Sequence, residues 1–240
     1  MNLIKELKVY NVHSPKIRLG RNSDGGYIIN ELIEKNSRRL ISLGMADEDS
    51  FEKDWVFRHP EKPVEAYDGS TKCGALCLDN PNKVNKTIFY TQQNIGYNNH
   101  DIPLNVILDE KPGVLLKVDI EYNEYSIFEH ANLDNITGLV LEVHGLDDEC
   151  TRNKLVELLH TKFNNLVLFH IHGNSCGDTF DYQIDNIKIP NFPRLLELSF
   201  VNKTLVTEVS LETNKFPVTN LDFSNGLNED LDLHWVNSEA

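Results

Sequence analysis

Residues 114–121 (Val-Leu-Leu-Lys-Val-Asp-Ile-Glu) form a short, nearly unbroken apolar run that ends abruptly in two carboxylates, Asp119 and Glu121. Such a run, rich in Val, Leu and Ile, suits a central strand of a parallel sheet covered on both faces. In open α/β sheets the ligand sits just beyond the carboxyl ends of these strands. Carboxylates at i and i+2 on a strand point to the same face. The alternative is that both are solvated loop acids capping a helix expected over residues 123–130.

Runs of the same kind recur along the chain. The pattern predicts strands over 39–46, 63–70, 85–90, 139–145, 166–173 and 193–201, with helices over 31–38 and 148–162. Alternation over 16–20, a turn cluster Arg21-Asn22-Ser23-Asp24-Gly25-Gly26, and resumption at Tyr27-Ile28-Ile29-Asn30 predict a hairpin. Asp49 and Glu52 are spaced as a capping box for a helix start. Residues 204–211 are expected to pair locally. The tail from Asn214 reads as irregular, with Phe216 and Trp235 as anchors. Strands alternating with helices indicate an α/β fold. With no internal repeat or linker, the expectation is one domain over 1–240, carrying an N-terminal hairpin extension over about 1–38.

Composition narrows the partners. A formal net charge of -14 argues against nucleic acid or an anionic membrane surface as the main partner. No apolar run approaches the roughly 18 residues needed to span a bilayer. Cys73 and Cys77 are spaced as on one helix face, Cys150 and Cys176 stand alone, and no CxxC occurs. The opening residues are polar and mixed, unlike a secretory leader, so the expected location is cytoplasmic with reduced thiols.

Candidate chemistry gathers at the strand ends. The 39–46 strand runs into Gly44-Met45-Ala46 and then a helix start, an arrangement that cradles nucleotide-like ligands. The glycine pattern falls short of GxGxxG, and acids crowd the helix start, which suits a cationic ligand better than a pyrophosphate. Asp68 ends the next strand near the spacing at which an acid binds a ribose diol. Three further strands end in Asp119, His144 and His172, so these side chains can converge over one sheet edge. One carboxylate with two imidazoles is a divalent-metal set favouring Fe or Mn over Mg. The alternatives are hydrogen-bonded strand-end histidines or a metal-free general base. Glu142 and Glu197 are candidates to orient an imidazole, and His170 reads as structural.

Arg18-Leu19-Gly20 with Asp24-Gly25-Gly26-Tyr27, and Ile41-Ser42-Leu43-Gly44 with Ser50-Phe51-Glu52, resemble the FkbM-type S-adenosylmethionine-dependent methyltransferases. So do Lys117-Val118-Asp119-Ile120-Glu121, Leu141-Glu142-Val143-His144, His170-Ile171-His172-Gly173-Asn174, the Glu197 strand and the Phe216-Pro217…Leu221-Asp222 tail. The resemblance spans nearly the whole chain, and its order is more specific than any one piece. It implies a Rossmann-like, seven-stranded methyltransferase sheet, mostly parallel with an antiparallel strand and helices on both faces. By position it implies Gly44, Asp47 and Phe51 along the methionine part of the cofactor, Asp68 on the ribose, and Asn94 and Ile95 near the adenine. The chain departs from the pattern at Met45-Ala46, where a second glycine is usual.

The implied activity is methyl transfer from S-adenosylmethionine to a sugar hydroxyl for surface polysaccharide or glycan biosynthesis, with a divalent metal as an optional aid. Asp119, His144 and Glu121 would be the catalytic residues. A nucleotide-sugar or glycan is the expected substrate, with Lys16, Arg18 and Arg21 placed to meet a diphosphate or simply solvated. Competing readings are a non-catalytic S-adenosylmethionine-binding scaffold, a methyltransferase for a non-sugar small molecule, and an NAD-dependent oxidoreductase. Homo-oligomerisation is left open.

Overall fold

In the computed structural model of the chain, the described residues are 2–70, 88–108, 112–184, 187–226 and 228–237. Cys73, Cys77 and the first half of the 85–90 strand lie outside them.

Seven strands make the main sheet: β4 (Arg39–Leu43), β5 (Val64–Tyr67), β6 (Ile88–Thr91), β7 (Val114–Val118), β8 (Ile136–Val143), β9 (Leu166–Gly173) and β12 (Leu196–Asn202). Short pairs stand outside it: β1 (Tyr10–Asn11) with β13 (Ser210–Leu211), β2 (Lys16–Leu19) with β3 (Tyr27–Asn30), and β10 (Thr179–Ile184) with β11 (Ile187–Pro193). The helices are α1 (Leu3–Glu6), α2 (Glu31–Asn36), α3 (Ser50–Arg58), α4 (Leu104–Leu108), α5 (Glu124–Ile127) and α6 (Glu149–Thr161).

The order across the sheet is β6-β5-β4-β7-β8-β12-β9. Every neighbouring pair is parallel except those made by β12, which runs antiparallel to both β8 and β9. The fold is therefore α/β with a mostly parallel, Rossmann-like sheet. Successive strands progress outward in one direction from β4 and in the other from β7, so the switch point lies between them. A crevice opens at such a point beyond the strand ends.

The apolar runs behave as expected of strands covered twice. Every residue of β4, β7, β8, β9 and β12 is buried. Alternate side chains feed two cores. Ile41, Leu43, Leu116 and Val118 join residues of α1, α4, α5 and α6 on one face. Leu40 and Leu115 join Ile33 of α2, Phe51 and Trp55 of α3, and Leu19, Tyr27 and Ile29 of the β2–β3 hairpin on the other. The hairpin is thus a wall of the second core.

Several local expectations are corrected. Residues 204–211 do not pair with each other: a 3-10 turn over Lys203–Leu205 is followed by β13, which pairs with β1 at the far end of the chain. The Asp49/Glu52 capping box does not form. Asp49 makes no side-chain cap and pairs with Lys53 at 2.9 Å, while fully buried Glu52 turns under the sheet to Ser42. The β10–β11 hairpin has no counterpart in the sequence reading. Phe216 and Trp235 do anchor the tail: both are buried, and Trp235 stacks on Phe192 at 4.8 Å between ring centroids.

Candidate functional site

Strand register brings the key residues level. Leu43 faces Tyr67 on one side and Val118 on the other, and Val118 faces Leu141. The residues that follow, Gly44, Asp68, Asp119 and Glu142, therefore emerge side by side at the switch point. Gly44 turns at φ +74°, and a Cβ there would lie 1.5 Å from the Asp119 carbonyl oxygen. Only glycine lets the β4 turn close against the end of β7. Two residues on, Ala46 takes a left-handed φ of +44° without being glycine.

Asp68 holds this turn. Its Oδ2 accepts from the Met45 and Ala46 amides at 2.9 and 2.7 Å, and its Oδ1 from the Ser70 amide and hydroxyl at 2.7 and 2.6 Å. Burial alone would raise its pKa, but these hydrogen bonds from Ser70, Ala46 and Met45 carry it down to about 2. Four accepted bonds use the capacity of a carboxylate. A ribose diol at Asp68 would take the place of the Ser70 contacts.

A cavity of about 480 Å³ opens over these strand ends. That size is ordinary for a small-ligand site. Gly44, Asp68, Asn94, Ile95, Asp119 and Glu121 all line it. Asp47 and Phe51 do not: Asp47 is exposed outside the cavity, and Phe51 is buried edge-on to Tyr27 at 5.8 Å. Met45, Ala46 and Glu48 occupy that wall instead. Among the described lining residues, Asp24, Glu48, Asp68, Asp101, Asp119 and Glu121 face a single cation, Lys117. Lys117 donates to the Gly44 carbonyl, lies 3.8 Å from Asp119 and sits over the Tyr27 ring.

Beside the cavity, Asp119, Glu142 and His144 each offer a ligand atom, all within 4.8 Å of one another. The Tyr27 hydroxyl lies 2.9 Å from Asp119 Oδ2 and 3.0 Å from Glu142 Oε2, and Asn174 Nδ2 donates to Glu142 Oε1 at 2.9 Å. One phenol proton cannot serve two carboxylates, so the second contact needs a protonated acid or a cation. Burial and the neighbouring Asp119 charge push the Glu142 carboxyl well above its usual range. The His144 backbone amide donates to buried Glu124 Oε1 at 2.7 Å, and its Nδ1 lies 3.1 Å from the same oxygen. This leaves Nε2 aimed at Glu121 and Glu142, 3.5 and 3.6 Å away. An imidazole backed by a carboxylate, with its other nitrogen free among acids, is how metal-bound histidines are held. The donor set fits a divalent cation.

His172 does not join this group. In the sheet β12 lies between β8 and β9, so Glu142 faces Glu197, and Glu197 faces His172. Two strand spacings, roughly 10 Å, separate the last row member from the first. Both His172 nitrogens are occupied, Nδ1 by Glu197 at 3.0 Å and Nε2 by Asp230 at 2.8 Å. Burial would lower its pKa, but Glu197 and Asp230 carry it up to about 10, and an imidazolium has no lone pair for a metal. With Glu142 in its place, the set has one imidazole and two carboxylates, and the argument for Fe over Mg loses its second nitrogen; carboxylates suit Mn and Mg.

His170, expected to be structural, is buried with Nε2 2.8 Å from Asp222, and burial lowers its pKa. Glu197 orients an imidazole as anticipated, but that of His172. Glu121 reaches the site through a left-handed turn (φ +50°), since β7 has already ended. Three contributors were given no site role from the sequence, although Tyr27 and Asn174 stand in the motifs quoted above: Tyr27 from the hairpin, Glu124 at the start of α5, and Asn174 after β9. Glu124 was the most accessible, being an acid just past the Asp119 strand and before a helix.

No protein-family model matches the chain, and no curated protein matches it. Among the described residues no helix is long and apolar enough to cross a membrane.

Proposed function

We propose that the chain is an S-adenosylmethionine-dependent O-methyltransferase acting on a sugar hydroxyl. The observation that carries this reading is the acid-walled cavity at the switch point, contiguous with the Asp119–Glu142–His144 cluster. Six carboxylates around one lysine favour a ligand with an ammonium and a sulfonium and repel a dinucleotide pyrophosphate. The sheet supports the same reading, with seven strands and one reversed, as the resemblance to FkbM-type methyltransferases implies. The choice of a sugar rests on that resemblance.

S-adenosylmethionine, when bound, supplies an electrophilic methyl group. Asn94 and Ile95 flank the region proposed for its adenine, and the Gly44 turn approaches its amino-acid end. The chain's task is to orient the acceptor hydroxyl and take its proton. His144 Nε2 faces Glu121 and Glu142 at 3.5 and 3.6 Å. Burial would lower the His144 pKa, but Glu124, Asp119 and Glu121 raise it, and Glu124 on Nδ1 stabilises the imidazolium once the ring takes the hydroxyl proton. Asp119 and Glu142, bridged by Tyr27, hold the hydroxyl in place. Should Asp119, Glu142 and His144 hold a divalent ion, that ion would lower the pKa of a coordinated hydroxyl. Glu121, largely exposed beside them, would then be the proton acceptor.

The test has two arms. Calorimetry with S-adenosylmethionine and with NAD should give binding only for the former. Mass spectrometry of a sugar panel should then show addition of one methyl group. Binding of NAD alone would overturn the reading. Binding of S-adenosylmethionine with no transfer to any hydroxyl would leave a scaffold.

A further inference from the structure

The turn after β7 holds two consecutive non-glycine residues in the left-handed region, Glu121 at φ +50° and Tyr122 at φ +72°. Bulky L residues rarely adopt this conformation, and such strain persists only where its surroundings impose it. Its effect is to put the Tyr122 ring on the outside. Tyr122 is 65% exposed, so burial does not explain its placement. The ring leans on His144 (centroids 5.4 Å apart, planes at 46°) and on Gly145, where a Cβ would come within 3.0 Å of Tyr122 Cε1. Its neighbours Glu121 and Asn123 line the cavity. Tyr122 itself stands outside the cavity lining, so the strained turn presents an exposed aromatic face next to the cavity, reached from it through Glu121 and resting on His144.

The basic residues that a diphosphate would need are engaged by other groups, and Lys117 in the cavity wall donates to the Gly44 carbonyl and lies 3.8 Å from Asp119. Lys16 pairs with Glu212 at 3.3 Å. Arg18 donates to the carbonyls of Arg21, Ser23 and Leu221. Arg21 pairs with Glu48 at 2.8 Å, itself a cavity acid. An aromatic face bordered by carboxylates suits an uncharged polyol ring: its C–H face packs on the aromatic, and its hydroxyls donate to the acids.

We propose that Tyr122 is the acceptor platform of this site, stacking an uncharged pyranose whose hydroxyls donate to Glu121, and that the site does not take a nucleotide diphosphate-sugar. This rests on the methyl-transfer reading of the same site. The test is saturation-transfer NMR on the full chain with S-adenosylhomocysteine present. The probes are methyl glycosides of glucose, galactose, mannose and rhamnose, with UDP-glucose as the anionic comparison. We expect ring C–H saturation for at least one methyl glycoside and none for UDP-glucose. The signal should survive in Tyr122→Phe, and Kd should rise roughly five- to tenfold in Tyr122→Gly, the scale of one aromatic contact. Because glycine relieves the left-handed φ, Tyr122→Gly should also unfold at equal or higher urea concentration. A stacking role thus predicts weaker binding without lost stability, whereas a merely structural role predicts the reverse. Unchanged glycoside binding in Tyr122→Gly, UDP-glucose binding tighter than every glycoside, or no glycoside signal at millimolar concentration would each overturn the platform. Calorimetry with S-adenosylhomocysteine in the same samples reports on the cofactor reading separately: its failure there, with Tyr122-dependent glycoside binding intact, would count against methyl transfer alone.

Discussion

His144 and His172 look alike in the chain: each ends an apolar strand, each precedes a glycine, and each is buried among carboxylates. They differ in what is left over. His172 has an acid on both nitrogens and is a sealed imidazolium tying the tail, through Asp230, to the sheet. His144 has Glu124 on one nitrogen only, and the other faces Asp119, Glu142 and Glu121 at the cavity. The lesson is that burial and acidic neighbours do not identify a working histidine. A ring nitrogen aimed at acids that line a cavity does: Nδ1 of structural His170 also has no hydrogen-bond partner, but it is buried away from the site.

The contrast breaks most sharply at His144 itself. His144→Ala should lower methyl transfer by about a hundred- to ten-thousand-fold, the usual worth of a general base, with S-adenosylmethionine affinity unchanged by calorimetry. Equal losses in both would place His144 in cofactor binding instead. For the sealed histidine the expected effect is on stability. Glu197→Ala leaves the buried imidazolium with Asp230 still on Nε2 and should cost about 1.5–3 kcal/mol in urea unfolding, the scale of a hydrogen bond to a charged group. A stable Glu197→Ala protein would mean His172 is held by Asp230 alone.

Metal binding sharpens the same comparison. Mn(II) titrated into chelator-treated protein and followed by electron paramagnetic resonance should bind the wild type and His172→Gln alike. Glu142→Gln should bind at least about tenfold more weakly, since a charged ligand is lost. Dependence on His172 would restore the original three-strand set. A smaller effect is expected at the turn: Asp68→Ala should weaken S-adenosylmethionine by about 1.5–3 kcal/mol, the scale of hydrogen bonds to a charged group. Unchanged affinity with the fold intact would remove Asp68 from the cofactor site and leave it as the anchor of the Gly44 turn.

The pH dependence is the gentlest probe. His172 has a raised pKa of about 10, so its contribution is fully present below about pH 6.5 and is lost as pH rises through 10. Asp68 has a depressed pKa of about 2, so its contribution is present above about pH 4 and fades as pH falls toward 2. Urea midpoints should therefore decline on both sides of neutrality. Replacing His172 with Gln should flatten the alkaline limb only, and an unchanged limb would assign that loss to another group.

What the sequence determined by itself was local. Apolar runs marked all seven strands of the sheet, although the start of the 85–90 strand lies outside the described residues; the Gly44 turn was legible because only glycine tolerates its φ and the contact with Asp119. Asp119 and His144 were legible because a polar side chain that closes an apolar strand must find solvent or polar partners, and His144, though buried, finds Glu124 and its acid neighbours. The lateral order of strands was not legible. The expectation was that the strands ending in Asp119, His144 and His172 converge over one sheet edge, but β12, later in the chain, inserts antiparallel between β8 and β9. That single long-range pairing moves His172 away, while the β7–β8 register sets Glu142 level with Asp119. Tyr27, Glu124 and Asn174 likewise reach the cluster from a hairpin, a helix start and a strand end remote from one another in sequence. Periodicity tells which face a residue takes within its own strand. Which residues from other strands share that face is set by packing among distant segments, and only the tertiary structure decides it.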